Sequence, residues 1–127
     1  MSKLPYMQFY PADWLSDPDL LLCSLESQGL WIRLICLMWK AETRGKLKGT
    51  WEKLARQSGI PEKVFIKNVN ELASNKVIGF RESDTIKTLF SRRLIREEKF
   101  RNNKNLRNKK YYDKTNSDAV RTKLSIN

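Results

Sequence analysis

The chain has 127 residues, 40% of them hydrophobic, which is enough for one modest core but too little for two ordinary domains. Its 25 lysines and arginines against 14 acids give a formal net charge of +11, which favours polyanionic partners, either nucleic acid or an acidic membrane surface. Without histidine and with only two cysteines, a zinc site of ordinary ligands cannot be assembled within one chain.

The N-terminal residues 4–15 are rich in aromatic residues and prolines, and neither a helical nor a strand period survives in them. They predict an extended arm laid over the core. Asp17 followed by Pro18 is typical of an N-cap and a first helical turn, so a short turn of helix is expected there. Ser24 is expected to cap the helix that follows.

A central helix is predicted from Leu25 to about Thr43, because apolar residues cover most of the helical circumference. Such a helix is buried on several sides. Gly45 is its expected C-terminal stop. Cys23 and Cys36 both have apolar helical surroundings, and they are predicted to be small buried residues in a reducing compartment.

The next segment predicts two short helices that cross closely. Leu47, between two lysines, indicates a bridge-length strand able to pair with a later hairpin, and Thr50 is expected to cap the first helix of the pair. Ala55 supplies a small side chain at the crossing, and Gly59 can take the positive φ that a tight turn needs.

The second helix of the pair is predicted over residues 61–75, with Pro61 and Glu62 in its first turn. Its expected inward face is Phe65, Val69, Leu72 and Ala73. Its expected outward face is Lys63, Lys67, Asn70, Glu71 and Ser74. Lysine and asparagine donate hydrogen bonds to phosphates and to base edges in the major groove, so this outward face predicts a DNA contact. A merely solvated helix face is the alternative.

A hairpin with a turn at residues 82–85 is predicted next, from the period-two stretches Val77, Ile78, Phe80 and Ile86, Thr88, Phe90. Ser91 is expected to cap a final helix that Leu94 and Ile95 anchor. From about Asn102 we expect this helix to extend and then fray into disorder, because too little apolar surface remains to offset the ordering entropy.

Residues 92–114 carry ten lysines or arginines against three acids, and thus most of the net charge. A run of one sign costs self-repulsion unless a partner neutralises it, so nucleic acid is the first candidate. A solubilising helix interlaced with Glu97 and Glu98 is the alternative. Tyr111 and Tyr112 could stack on unpaired bases, but ordinary tail composition explains them better.

An enzyme is not expected. Asp13 and Asp17 are interpreted as caps, since there is no phosphate-cradling glycine loop, no nucleophile and base pair, and no third carboxylate at a useful spacing. We therefore predict no catalytic residue, no metal and no cofactor. The longest apolar block, from Leu30 to Trp39, is interrupted by Arg33 and is far shorter than a membrane span, so a cytoplasmic protein is expected.

The predicted fold is mainly α with a small β-hairpin: a winged helix-turn-helix with an N-terminal aromatic arm and a basic C-terminal helix or tail. We expect residues 1–101 to form the domain and residues 102–127 to form a basic, partly disordered tail. A winged helix presents one helix and one hairpin to a groove or to a partner.

A set of short motifs in a fixed order also suggests a family. The motifs are Pro5-Tyr6 to Phe9, Asp13-Trp14, Gly29-Leu30-Trp31, Met38-Trp39, Gly45, Leu54-Ala55-Arg56 with Gly59, Glu71-Leu72, and Phe90-Ser91-Arg92-Arg93-Leu94 with Glu97-Glu98. Over most of residues 5–101 their order and spacing resemble the N-terminal domain of phage and prophage replication proteins of the replisome-organiser or replication-initiator type.

The resemblance implies a winged helix that binds DNA at a phage origin or helps to assemble the replication machinery in a bacterial host. Larger members of the family carry a C-terminal region that contacts a helicase or its loader. A helicase or helicase loader is therefore an implied partner, whereas a homodimer is expected for the alternative of a protein-interaction module.

The expected function is double-stranded DNA binding in phage replication, with three groups of contacts. Lys63, Lys67, Asn70 and Ser74 would enter a groove. Arg81 and Lys87 on the wing would touch the flanking backbone, and Arg92, Arg93, Arg96, Lys99 and Arg101 would contact phosphates. One alternative is a protein-interaction module, with the aromatic arm at 6–14 and the central helix as a dimer or replisome interface. A winged-helix transcriptional regulator is another.

Overall fold

The structure is a computed structural model that describes the backbone of residues 5–126 and the side chains of residues 5–111. Within these residues the helices are α1 (Pro11–Ser16), α2 (Pro18–Leu21), α3 (Leu25–Lys40), α4 (Trp51–Ser58), α5 (Glu62–Ser74) and α6 (Arg92–Ile126). The strands are β1 (Lys46–Gly49), β2 (Gly79–Ser83) and β3 (Ile86–Phe90). The chain divides into two compact units, Met1–Ile95 and Arg96–Asn127.

The three strands form one antiparallel sheet in the order β1-β3-β2. Leu47 of β1 pairs with Leu89 of β3, which pairs in turn with Phe80 of β2. The predicted pairing of a short strand at Leu47 with the hairpin is therefore confirmed, and so is the mainly helical class with a small antiparallel sheet.

The N-terminal segment is not wholly extended, contrary to prediction, because residues 11–16 form helix α1. Pro11 stands in the first helical turn, where its fixed φ favours the helix and its missing N–H costs nothing. The predicted cap of α2 is confirmed: the Asp17 carboxylate accepts hydrogen bonds from the backbone N–H groups of Asp19 and Leu20, at 3.0 and 3.3 Å.

Helix α3 is the buried centre of the first unit, and Leu34 and Met38 are fully buried in it. Ser24 caps it as predicted, accepting from the Ser27 N–H at 3.2 Å. The helix ends at Lys40 and not near Thr43. The backbone turns extended at Ala41, and the chain folds back so that Arg44 donates from Nε to the Trp39 carbonyl at 3.1 Å.

The sequence predicted that Gly45 ends α3, and this prediction is wrong because the helix ends five residues earlier, at Lys40. Gly45 takes a φ of +95° where the chain enters β1 beside the start of α6. A Cβ at this position would lie 2.8 Å from Cγ1 of Ile95, so the glycine is needed both for its backbone conformation and for the close approach.

Three aromatic rings connect α5, α4 and the hairpin. Phe65 of α5 is fully buried and meets Trp51 of α4 edge to face, with 6.0 Å between ring centroids. Trp51 in turn stacks on Phe80 of β2, at 5.7 Å and 7° between the ring planes. The inner face of the sheet is thus packed on α4, and α4 on α5.

In β3 the inner face of the sheet carries the residues that alternate with Ile86, Thr88 and Phe90, and in β2 it carries Phe80. Lys87 and Leu89 are buried, whereas Ile86 is exposed and Thr88 and Phe90 are half-buried on the outer face. Strand residues alternate between faces, so a shift of one position exchanges the two sets. Trp51 decides which set is inside, because it packs against the β3 face that carries Leu89 and its neighbour Phe80.

The two cysteines differ. Cys23 is buried as predicted, and burial raises the pKa of its thiol. Cys36 lies exposed on α3, so the prediction of two buried cysteines is wrong for this residue. Successive residues of an α-helix point about 100° apart, so Cys36 is exposed although Ile35 beside it is buried.

Across the described part of the chain, none of the helices combines the length and the apolar composition required to span a bilayer.

Candidate nucleic-acid interface

The turn between α4 and α5 is tight. Gly59 takes the left-handed conformation (φ +69°) that the sequence predicted, and its N–H donates to the Arg56 carbonyl at 3.1 Å. The backbone N–H of Ile60 donates to the carbonyl of Ala55, and the side chain of Ala55 is buried. Arg33 of α3 donates from Nη1 to the Ser58 carbonyl at 2.9 Å, which holds the end of α4 in place.

Helix α5 is fixed on α3 by buried polar contacts as well as by apolar ones. Asn68 is 2% exposed; its Oδ1 accepts from the Ser27 hydroxyl at 3.1 Å, and its Nδ2 donates to Glu26 at 2.8 Å. These contacts define one orientation of α5, because a rotation or shift of α5 along α3 would leave the buried Asn68 amide without hydrogen-bond partners. The sequence carried no local signal for them, since the partners are more than forty residues apart.

Glu71 also binds α3, although it was predicted to face outward. Its carboxylate accepts a hydrogen bond from the backbone N–H of Ser24, the N-cap of α3. This bond is the main reason that the pKa of Glu71 lies below the ordinary value of a glutamate, and Lys67 lowers it further. The negative charge of Glu71 therefore strengthens the contact between the two helices.

The lowered pKa makes part of the stability dependent on pH. A carboxyl whose pKa is depressed by folding stabilises the fold above its unfolded pKa, and this contribution disappears as the pH falls through the folded pKa. We expect Glu71→Gln to unfold at a lower denaturant concentration than the parent at neutral pH, and the difference to narrow in acid. Denaturant titrations of both proteins over a pH series measure it; a difference that stays constant with pH contradicts the assignment.

The remaining predicted outward residues of α5 lie together on one exposed face. They are Lys63, Lys67, Asn70 and Ser74, at spacings of four, three and four residues. The row is about 16 Å long at 1.5 Å per residue. Two acids belong to the same helix: Glu62 lies in the first turn, and Glu71 is turned toward Ser24. The exposed row itself is free of acids.

The two predicted wing residues are placed differently. Arg81 is exposed on the outer face of the sheet, with its guanidinium 5.3 Å from the centre of the Phe90 ring. Lys87 is buried, and its ammonium binds the Glu82 carboxylate and lies 5.7 Å from the Trp51 ring. A buried lysine in an ion pair does not reach a phosphate, so Lys87 is removed from the proposed interface.

Two of the basic residues of α6 that were predicted to contact phosphates belong to the first unit. Arg92 is exposed, and its Nη1 donates to the Lys76 carbonyl at 3.3 Å, just beyond α5. Arg93 is half-buried. Ser91 caps the helix as predicted, accepting from the Leu94 N–H at 3.2 Å, and Leu94 is fully buried.

The other basic residues of α6 that were predicted to contact phosphates belong to the second unit. Arg96 and Lys99 are exposed, one helical turn apart. Arg101 is half-buried and binds Glu98 at 2.5 Å, so part of its charge is already neutralised. Tyr111 is exposed, whereas Tyr112 lies outside the residues whose side chains are described.

Two further lysines lie on the sheet, and the sequence assigned them no role. Lys46 and Lys48 are exposed on β1, on the same face of the sheet as Arg81. The alternation of lysine with Leu47 was the available signal, because residues two apart in a strand share a face. Among the described residues no cluster of three or more potential metal ligands occurs.

Comparison with known proteins identified no relative: no family model matches the chain, and neither the curated proteins nor the solved structures gave a match.

Proposed function

We propose that the chain is a winged helix-turn-helix protein that binds double-stranded DNA and catalyses no reaction. In this proposal α4 and α5 are the helix-turn-helix, and β2 with β3 is the wing. The tight turn at Gly59 and the hairpin that follows α5 directly support it.

The exposed row Lys63, Lys67, Asn70 and Ser74 carries the proposal. The major groove of B-DNA, about 12 Å wide, admits one α-helix, and this row is the side of α5 turned away from the core. The lysines would bind phosphates or guanine, and Asn70 has the paired donor and acceptor that recognise adenine. Because Asn68 and Glu71 hold α5 on α3, the row is presented by a rigid element.

The lysines and arginines of the second unit would add affinity for DNA without preference for its sequence. Arg96 and Lys99 are exposed, and residues 92–114 contain ten lysines or arginines but only three acidic residues. Each phosphate neutralised releases condensed counterions, so such contacts strengthen binding to any duplex.

A role in phage DNA replication, in the cytoplasm of a bacterial host and together with a helicase or its loader, rests on the resemblance of the motifs in residues 5–101. A transcriptional regulator would use the same geometry, and only the target site distinguishes the two roles.

Duplex binding is tested by fluorescence anisotropy over a series of salt concentrations. We expect log affinity to fall linearly with log salt, with a slope of roughly 0.9 per phosphate contact. Lys67→Ala should reduce the slope by about one, whereas Asn70→Ala should weaken preferred sites more than random ones, by about 1–3 kcal/mol.

Arg56→Ala is the matched control, because it removes one exposed positive charge that already binds Glu52 on α4. Its slope should stay that of the parent. A parent that shows no duplex binding at low salt contradicts the proposal, and equal effects of the Lys67 and Arg56 changes contradict the assignment of α5.

A protein-interaction module is the second candidate, and a specific surface favours it. Large apolar side chains are exposed between residues 6 and 25, among them Tyr6, Leu15, Leu22 and Leu25, with 66 to 86% of their surface accessible. Residues 5–32 contain four acids and no lysine or arginine, so this segment does not suit DNA. An absence of duplex binding at low salt would favour this function.

A further inference from the structure

The outer face of the sheet is a second basic surface. Residues directly opposite in an antiparallel sheet share a face, and the register aligns Lys46 with Phe90 and Lys48 with Thr88 and Arg81. We call these five residues the outer sheet face. It has no residue in common with the row on α5, and it contains no acid.

An open groove of about 1180 Å³ adjoins this face. Besides Lys46, Lys48 and Arg81 it is lined by Lys40 and Lys53. Its acids are Glu42, Glu82 and Asp84; the Glu82 carboxylate already binds the buried Lys87. The positive charges of the groove outnumber the negative ones, so its ligand is expected to be anionic.

An aromatic ring lies among these basic side chains. Phe90 is half-buried, and its ring covers Gly79, where an added Cβ would be 2.1 Å from the ring. The guanidinium groups of Arg81 and Arg92 lie 5.3 and 5.6 Å from the ring centre, within cation–π distance. A smaller cavity of about 310 Å³ is lined by these three residues and by Lys46.

This combination suits unpaired nucleotides better than a duplex. Proteins that bind single strands join a positively charged groove to aromatic side chains on which bases stack, and arginine adds to the stacking. In a duplex the faces of the bases are covered by their neighbours, so Phe90 and the exposed Ile86 beside the groove would have no partner.

We infer that the outer sheet face binds single-stranded nucleic acid, with Lys46, Lys48 and Arg81 on the phosphates and Phe90 against a base. The inference extends the proposed DNA binding to a second surface and to an unpaired strand. A protein that held a duplex on α5 and a single strand on the sheet would suit a junction between the two, such as a duplex being opened.

The test compares fluorescent oligothymidine with a hairpin duplex of mixed sequence, by anisotropy of the full chain near physiological salt. Lys46→Glu combined with Lys48→Glu changes two exposed residues. We expect it to lower single-strand affinity about tenfold or more. Duplex affinity should fall less than single-strand affinity, because neither lysine belongs to the row on α5.

Lys63→Glu combined with Lys67→Glu is the matched control, because it makes the same change of charge on α5. It should weaken duplex binding more than single-strand binding. The lysines and arginines of α6 are present in every variant, so their contribution to affinity cancels when the variants are compared with the parent. Phe90→Leu should lower single-strand affinity about fivefold or more by removing the stacking ring; a circular dichroism melt verifies that the variant is folded.

Three results would overturn the inference. One is a parent that does not bind oligothymidine. Another is a Lys46 and Lys48 variant that binds oligothymidine like the parent. The third is an equal loss on both ligands, which would show a general polyanion surface. The proposed duplex function fails by a different result, namely a Lys63 and Lys67 variant that keeps its duplex affinity.

Discussion

We expect Phe65→Ala to lower the free energy of unfolding by about 3–5 kcal/mol, a large part of the stability of a small domain. Phe65 is fully buried, and its ring meets Trp51, which stacks on Phe80 of the hairpin. Removing the ring leaves a cavity between α5 and α4 and takes away the support of the hairpin. Denaturant titration followed by circular dichroism measures the loss.

Phe100→Ala is the control for this variant, because the Phe100 side chain is 62% exposed. Its free energy of unfolding should stay within about 0.5 kcal/mol of the parent, as for most surface substitutions. If the two alanine variants were equally stable, the aromatic contact between α5, α4 and the hairpin would not be a stabilising element of the fold.

The second large effect is expected at the turn between α4 and α5. Ala55→Leu should cost about 1–3 kcal/mol, because Ala55 is buried in α4 and three added carbon atoms must fit into the packed core. Duplex binding should weaken with the fold, since α5 packs on α4. Thermal melts and the anisotropy assay measure the two effects.

Gly59 separates backbone strain from lack of space. A Cβ there would have only the Arg33 Nη1 atom nearby, at 3.7 Å, so the side chain fits and the positive φ is the obstacle. Gly59→Ala should cost about 1–2 kcal/mol and Gly59→Val more, because a β-branched residue tolerates this conformation least. Gly59→Asn is the control, since asparagine enters this region more readily. Equal melting of all three variants and the parent would contradict the left-handed turn.

The local features of this fold were predictable because their partners are close in sequence. Asp17, Ser24, Thr50 and Ser91 each cap a helix through a side-chain oxygen that reaches an N–H two or three residues ahead. Gly59 ends α4 for a similarly local reason, its left-handed backbone. Such signals are readable because the chain geometry alone brings the partners together.

The errors concern residues whose position depends on distant parts of the chain. Cys36 and Glu71 lie on helices that were located well, but what packs against a helix decides which of its sides is buried. Lys87 has a charged side chain, which in sequence indicates exposure, and only the placement of Glu82 and Trp51 makes its burial favourable. In β3 the packing against Trp51 of α4 determines that Leu89, and not its apolar neighbour Phe90, lies on the inner face of the sheet.

By itself the sequence determined the order of the elements from α2 onward, the mainly helical class with a small antiparallel sheet, the caps and the exposed row on α5. These follow from periodicities and short-range hydrogen bonds, which act within a few residues. The tertiary structure alone decided the orientation of α5 through Asn68, the burial of Lys87 and the gathering of Lys46, Arg81 and Arg92 around Phe90. These contacts join residues far apart in the chain, and the geometry that brings them together exists only after the helices and the sheet have packed.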